Sequence, residues 1–269
     1  MTTRRTSGPE ASVAHRRRQG ALAGHLGDEA AARQAFVDPD PAVRAVGLGA
    51  LVRMRALTGD DLDLAAADES TVVRRRVGEL APSIADPRRS PGGDDEHTSR
   101  VDEDRVRASG SRRLPEREPE REKVITALTG MLDDEDPGLV EAASFGIGET
   151  GIRASGIPES STDADADADT DADAIAKLCE IARNHPDTLC RESAVAALGS
   201  VESPQGLEVL LDAMGDKPSV RRRAVIALAA FESPLAHDAI ERALADRDWQ
   251  VRQAAEDLCG TPKRGPAVG

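Results

Sequence analysis

The chain of 269 residues carries 49 acidic side chains against 35 basic ones, a formal net charge of −14, and very few aromatic rings: three phenylalanines, one tryptophan and no tyrosine. So negative a chain argues against nucleic acid as a partner, and so few rings leave almost nothing on which bases could stack. No stretch is apolar over the length a membrane-spanning helix needs, and three cysteines without a secretion signal point to a reducing cytoplasm.

Residues 1–27 show no sustained apolar period and are expected to form a disordered or weakly ordered arm; Arg4-Arg5 is not followed by the apolar stretch a twin-arginine signal requires. Beyond them one pattern recurs: a small or apolar opening residue, then apolar or small residues four, seven and eight positions later, all on one helical face. It fits Val43, Gly47, Ala50, Leu51 and then Val73, Val77, Leu80, Ala81. A looser copy is Leu139, Ala143, Gly146, Ile147. The C-terminal copies are Cys190, Ala194, Ala197, Leu198, then Val220, Ala224, Ala227, Leu228, and finally Val251, Ala255, Leu258, Cys259. Successive openings lie 30, 66, 51, 30 and 31 residues apart, so a constant unit leaves insertions of about 36 and 21 residues in the two long gaps.

The composition supplies both. Residues 86–118 have scarcely an apolar side chain, and residues 153–173 contain the alternating Asp/Ala tract from Asp163, so neither can bury enough surface to offset chain entropy. Both are expected to be disordered. The organisation expected is therefore repeats 1–2 in 28–85, repeat 3 in 119–152, repeats 4–6 in 174–261, and a tail at 262–269.

Each repeat also needs a first helix, A, ahead of the patterned helix B. Ser203-Pro204 and Ser233-Pro234 are helix starts, with a hydroxyl to cap backbone N–H groups and a ring whose missing N–H costs nothing there. Apolar residues follow at Leu207, Leu210, Leu211 and Met214, and at Leu235, Ala239, Ile240, Ala243 and Leu244. Val124 to Leu132 and Ile175 to Ala182 supply helix A of repeats 3 and 4, and shorter versions lie at Ala31 to Val37 and Leu62 to Ala67. The fold class expected is all-α: a solenoid of about six short helix pairs with two disordered acidic insertions.

No catalytic set emerges. The histidines at 15, 25, 97, 185 and 237 have no partner arrangement of the Ser/His/Asp or Cys/His kind. Cys179, His185 and Cys190 come nearest to a metal set but lack a fourth ligand, and the Asp163, Asp165, Asp167 run lacks the glycine and closing glutamate of a calcium loop. No catalytic, cofactor or metal-binding residue is assigned. Trp249 beside Asp248 reads as a turn tryptophan capping the last interface rather than as part of a base-flipping cleft.

Arg44, Arg74, Arg191, Arg221 and Arg252 each follow an opening residue, with acidic turn residues just before them. A stacked Asp–Arg ladder tying neighbouring repeats together explains that period. A phosphate-binding stripe, suggested by the triplets at 16–18, 74–76 and 221–223, does not.

The Asp-x-x-Pro-x-Val-Arg turn and the Ala-Leu-Gly helix, seen here at Asp38 to Arg44, Asp216 to Arg221 and Ala197-Leu198-Gly199, resemble the short HEAT-like repeats of the phycobilisome bilin lyases. That family holds lyases, scaffolds and adaptors, and no chromophore-handling motif is present to carry over. The acidic excess with only four lysines implies a salt-saturated cytoplasm and a haloarchaeal member. In such solenoids offsets two and six of helix B face the concave surface. Here they are Arg75 and Glu79, Glu141 and Phe145, Glu192 and Ala196, Arg222 and Ile226, and Gln253 and Asp257. Phe145 and Ile226, apolar and rimmed by charge, mark a protein-binding patch, with capping of an insertion loop an equal account of Phe145. The function expected is a non-enzymatic scaffold or adaptor for a protein partner; the alternative is a nucleic-acid-associated protein or a lyase-like enzyme.

Overall fold

The computed structural model describes residues 9–86, 118–152 and 164–260. Among these residues are thirteen α-helices and no strand. They run α1 (Pro9–Leu26), α2 (Glu29–Phe36), α3 (Pro41–Met54), α4 (Gly59–Ala66), α5 (Thr71–Ala85), α6 (Glu118–Met131) and α7 (Pro137–Glu149). Then follow α8 (Ala164–Asn184), α9 (Thr188–Val201), α10 (Pro204–Ala213), α11 (Pro218–Leu228), α12 (Pro234–Ala243) and α13 (Trp249–Cys259). The fold is an all-α solenoid of helix pairs. It divides into an N-terminal unit, Met1–Arg76 with Pro82–Val124, and a C-terminal unit, Val77–Ala81 with Ile125–Gly269.

Short polar residues start most of these helices. Asp28, Asp40, Asp136, Asp187 and Asp248 each stand at an N-cap and accept from a backbone N–H of the first turn, and Pro41, Pro137, Pro204, Pro218 and Pro234 open helices where a missing N–H is harmless. Thr58 and Asp61 cap α4 reciprocally. Ser203 accepts from Gln205 N, whereas Ser233 makes no side-chain cap bond.

In the C-terminal unit the B helices α7, α9, α11 and α13 pack each on the next, and α8, α10 and α12 form a second layer against them. Val220, Ala224 and Leu228 are fully buried, as are Cys190, Ala194 and Leu198, so offsets zero, four and eight form the seam. Each buried leucine contributes about 1.5–3 kcal/mol. In the N-terminal unit α3 packs on both α1 and α2, burying Val43, Leu48 and Leu51 completely.

The Ala-Leu-Gly element has a steric basis. A Cβ added at Gly24 would lie 2.9 Å from Ala50 Cα, one at Gly148 2.9 Å from Ala197 Cα, and one at Gly199 2.8 Å from Ala227 Cα. Gly148 and Gly199 stand nine positions after the openings Leu139 and Cys190, Gly24 stands eight after Arg16, and each lets the next B helix approach backbone to backbone. Gly199→Ala is therefore expected to lower stability by about 1–3 kcal/mol, because helix backbone rather than a flexible side-chain end must move. A shifted midpoint in denaturant melts of the single variant measures it.

The structure departs from expectation at four places. Pro9–Leu26 is helical, not a weakly ordered arm: its buried face is Gly20, Ala23 and Gly24, too small to register as an apolar stripe, while residues 1–8 lie outside the described residues. Of the second insertion, 164–173 belongs to α8, where alanine favours helix and acidic residues suit the positive end of the helix dipole. Residues 153–163, 87–117 of the first insertion and the tail at 262–269 lie outside the described residues. The buried stripe of α10 runs Gly206, Val209, Leu210 and Ala213, leaving Leu207, Leu211 and Met214 half-buried; Leu235 of α12 is exposed. In the last copy Leu258 and Cys259 are exposed, because no described helix follows to cover offsets seven and eight.

Candidate protein-binding surface

The ladder expected from the arginine period is present. Arg191 grips Asp216 with Nε and Nη2 at 2.7 and 2.9 Å, and Arg221 grips Asp246 the same way at 2.9 and 2.7 Å. In the N-terminal unit Arg44 holds Asp68 at 2.8 Å through both nitrogens, and Arg16 holds Asp38. Each fork is preset by its own turn: Nη1 of Arg44, Arg74, Arg191, Arg221 and Arg252 donates to a turn carbonyl five or six residues back. The gripped aspartate is itself part of that turn, since Asp38, Asp68 and Asp246 accept from the N–H two residues on. Each such rung is a planar, charge-assisted pair that fixes one repeat against the next.

The electrostatics follow. The Arg191 guanidinium holds the Asp216 carboxyl below the usual aspartate value, and Arg221 does the same for Asp246, against a smaller upward push from burial. At Asp38 and Asp68 burial is the largest influence and pushes upward, yet hydrogen bonds from arginine and from the turn outweigh it. In the C-terminal unit the junction between α7 and α9 lacks the rung. In α7 the arginine position is occupied by the fully buried Val140, and in the following turn the aspartate position is occupied by His185, whose Nδ1 accepts from Asp187 N at 3.1 Å.

With Arg16, Arg44, Arg191 and Arg221 engaged in the ladder, the candidate surface is the row at offsets two and six of helix B. In the C-terminal unit Phe145 is 50 % exposed and Ile226 45 % exposed, on helices that flank α9. Ala196, at the same offset on α9, is half-buried. Glu192 is mostly covered: it lies 3.4 Å from Arg223 Nη2 and 4.0 Å from Arg222 Nη2, so it bridges α9 and α11. Gln253 and Asp257 are exposed and bonded to each other at 2.8 Å; Glu141 is half-buried. Arg75 and Glu79 are exposed on α5. The Glu192–Arg223 link was not legible in the offset pattern, because Arg223 sits at offset three, between the faces.

Other sequence candidates are engaged elsewhere. Cys179 donates to Gln205 O, Cys190 donates to Pro137 O at 3.4 Å, and burial raises the Cys190 thiol to about 11. Neither thiol meets His185, and no group of three metal-ligating side chains occurs among the described residues. Trp249 is 65 % exposed at the first position of α13 and caps no interface, while Asp248 is bound to the N–H groups of Gln250 and Val251 as the helix cap. A groove of about 300 Å³ between α1 and α2 is lined by Arg16, Leu22 and Leu26, which the repeat pattern had not reached, and by Ala35 and Asp38, which it had. No described helix is long and apolar enough to cross a membrane.

These features define a helical-repeat protein. A family model for HEAT repeats matches residues 175–259, the stretch from α8 to α13. No curated protein matches. The crystal structure of an engineered protein is similar at 15 % identity over 88 % of this chain and 99 % of that one, with a TM-score of 0.50; a second engineered protein gives 13 %, 87 %, 95 % and 0.51. A designed armadillo repeat protein in complex with the peptide (KR)4 is similar at 14 % identity over 84 % of this chain and 96 % of that one, with a TM-score of 0.50. At such identities the likeness concerns the fold.

Proposed function

We propose that the chain is a protein-binding repeat scaffold or adaptor whose partner lies along the helix-B row of the C-terminal unit, from Glu141 and Phe145 to Gln253 and Asp257. The observation that carries this reading is the exposure of Phe145 and Ile226 at a register where packing between repeats covers neither. Apolar anchors rimmed by Glu141, Arg222 and Asp257 suit a segment that brings both apolar and basic side chains, and the designed armadillo protein in complex with (KR)4 is a fold neighbour that takes a basic peptide. The acidic excess further suits a salt-rich cytoplasm, where long-range repulsion among carboxylates is screened.

The double variant Arg222→Glu with Ile226→Asp tests it. Pull-down from native high-KCl lysate is expected to lose its principal co-purifying protein, with at least a tenfold fall in affinity, while the melting curve stays where it was. Unchanged capture by a well-folded double variant would remove the row from consideration.

A further inference from the structure

Resting on the row just proposed, we infer that its occupant is a partner segment of about ten residues in β-extended conformation, with an apolar side chain at every third position. The helix-B face of the C-terminal unit carries two exposed apolar residues beyond those at offsets two and six: Leu189 on α9 is 49 % exposed and Trp249 on α13 is 65 % exposed. Leu189 stands three and seven residues before Glu192 and Ala196, and Trp249 four and eight before Gln253 and Asp257, so each shares their helical face. The four apolar residues alternate from helix to helix. Phe145 lies in the C-terminal half of α7, Leu189 at the start of α9, Ile226 in the C-terminal half of α11 and Trp249 at the start of α13. The alternate places hold Ala196 and Asp257 at offset six, and Gly138 and Ser219 just before the openings, none of them a large apolar group. The exposure of Trp249 belongs to its register, since Pro137 and Pro218 at the same register are exposed although α7 and α11 each pack against a following B helix.

The spacing selects the conformation of the occupant. The two edges of the row lie seven or eight residues apart along a helix, which is about 10–12 Å, and neighbouring B helices pack at about 8–10 Å. An extended chain rises about 3.3 Å per residue, so three residues carry it from one helix to the next, and an odd step turns the side chain to the opposite edge. Every third residue therefore meets Phe145, Leu189, Ile226 and Trp249 in turn. An α-helix or a polyproline helix would present such residues along one side and reach one edge alone. Charge fixes what stands between them. Glu141 lies one turn before Phe145 and Asp257 shares the face of Trp249, whereas Glu192 stands against both Arg222 and Arg223, 4.0 and 3.4 Å away, which leaves the step from α9 to α11 positive. A complementary segment brings a basic residue beside its first and its last apolar ones and an acidic residue before the third.

Trp249 provides the readout, because it is the chain's single tryptophan. The full chain is titrated with the synthetic peptide Ile-Lys-Thr-Ile-Thr-Glu-Ile-Thr-Lys-Ile and with its reversed sequence, since the spacing holds in either chain direction. A saturable blue shift of the Trp249 emission is expected with one of the two. A peptide of the same composition with isoleucine at its first, third, seventh and ninth positions, all on one side, is expected to bind at least tenfold more weakly. Leu189→Asp is expected to weaken the fitting peptide about tenfold without moving the melting curve, and Arg222→Glu to prefer the peptide whose glutamate is replaced by lysine. Equal binding of the two spacings, indifference to Leu189→Asp, or no shift with either direction overturns the extended segment. Pull-down separates this result from the fate of the row itself. A lysate protein lost in Arg222→Glu with Ile226→Asp but kept in Leu189→Asp overturns the alternating anchors alone, and one kept in both variants overturns the row as well.

Discussion

Arg221→Ala lowers the stability of the C-terminal unit by about 2–4 kcal/mol, enough to separate its unfolding from the wild-type transition in a denaturant melt. The side chain is 4 % exposed and its partner Asp246 14 % exposed, so truncation leaves a carboxylate with little water to replace two charge-assisted bonds. It also strips Asp216 O of the Nη1 donor that fixes the preceding turn at 2.7 Å. Arg221→Lys recovers only part of the loss, since an ammonium cannot grip both carboxylate oxygens and the turn carbonyl together. A melt of Arg221→Ala superimposable on the wild type would show that the rung contributes nothing. The double variant Arg221→Met with Asp246→Leu, which removes both charges, is expected to be far milder than either single truncation.

Acid dissolves the ladder in one narrow range. The rung carboxyls Asp38, Asp68, Asp216 and Asp246, and with them the α4 cap Asp61, all titrate below the ordinary value of 3.8 in the folded protein. A carboxyl whose folded pKa is lowered contributes stability that is fully present above its unfolded value and is lost as pH falls through the folded one. Stability from these groups is therefore level from neutrality down to about pH 5 and falls below about pH 4, as the unfolded chain takes up protons the native one resists. Urea melts at stepped pH measure the slope. An unfolding midpoint unchanged from pH 7 to pH 3 would contradict the assignment of the rungs as the acid-sensitive element.

Much of this was readable from the residues. The positions zero, four and eight of helix B are the buried seam from Val43 to Leu228 because burial on a helix follows its 3.6-residue period and the large apolar residues announce it. The arginine after each opening, with an acidic turn before it, announced the ladder. What escaped was written in residues with little or no side chain: α1 is anchored by Gly20, Ala23 and Gly24, whose burial depends on how closely α2 and α3 approach, a tertiary fact without a local signal. Arg16 and its grip on Asp38 were hidden with it. For the candidate surface, the exposure of Phe145 and Ile226 followed from register alone, but Glu192's tie to Arg223 across two helices did not, since it depends on where a long side chain from an intermediate position comes to rest. At the chain's last described helix the pattern was right about the face and silent about its covering, which only a following repeat could supply.

The junction between α7 and α9, where Val140 and His185 stand in place of an arginine and an aspartate, gives the chain a natural splice point. Recombining helix pairs at either of the next two junctions would strand half of a buried ion pair on each fragment, Arg191 without Asp216 or Arg221 without Asp246. A cut between repeats 3 and 4 strands no such charge; it exposes the apolar and glycine-lined contact of Gly148 with Ala197, the thiol of Cys190, and the solvent-facing Lys177–Asp133 pair. It is also where the chain already carries its Asp/Ala-rich segment. Chimeras with other repeat arrays, and inserted cargo domains, belong at this seam rather than at any charged one.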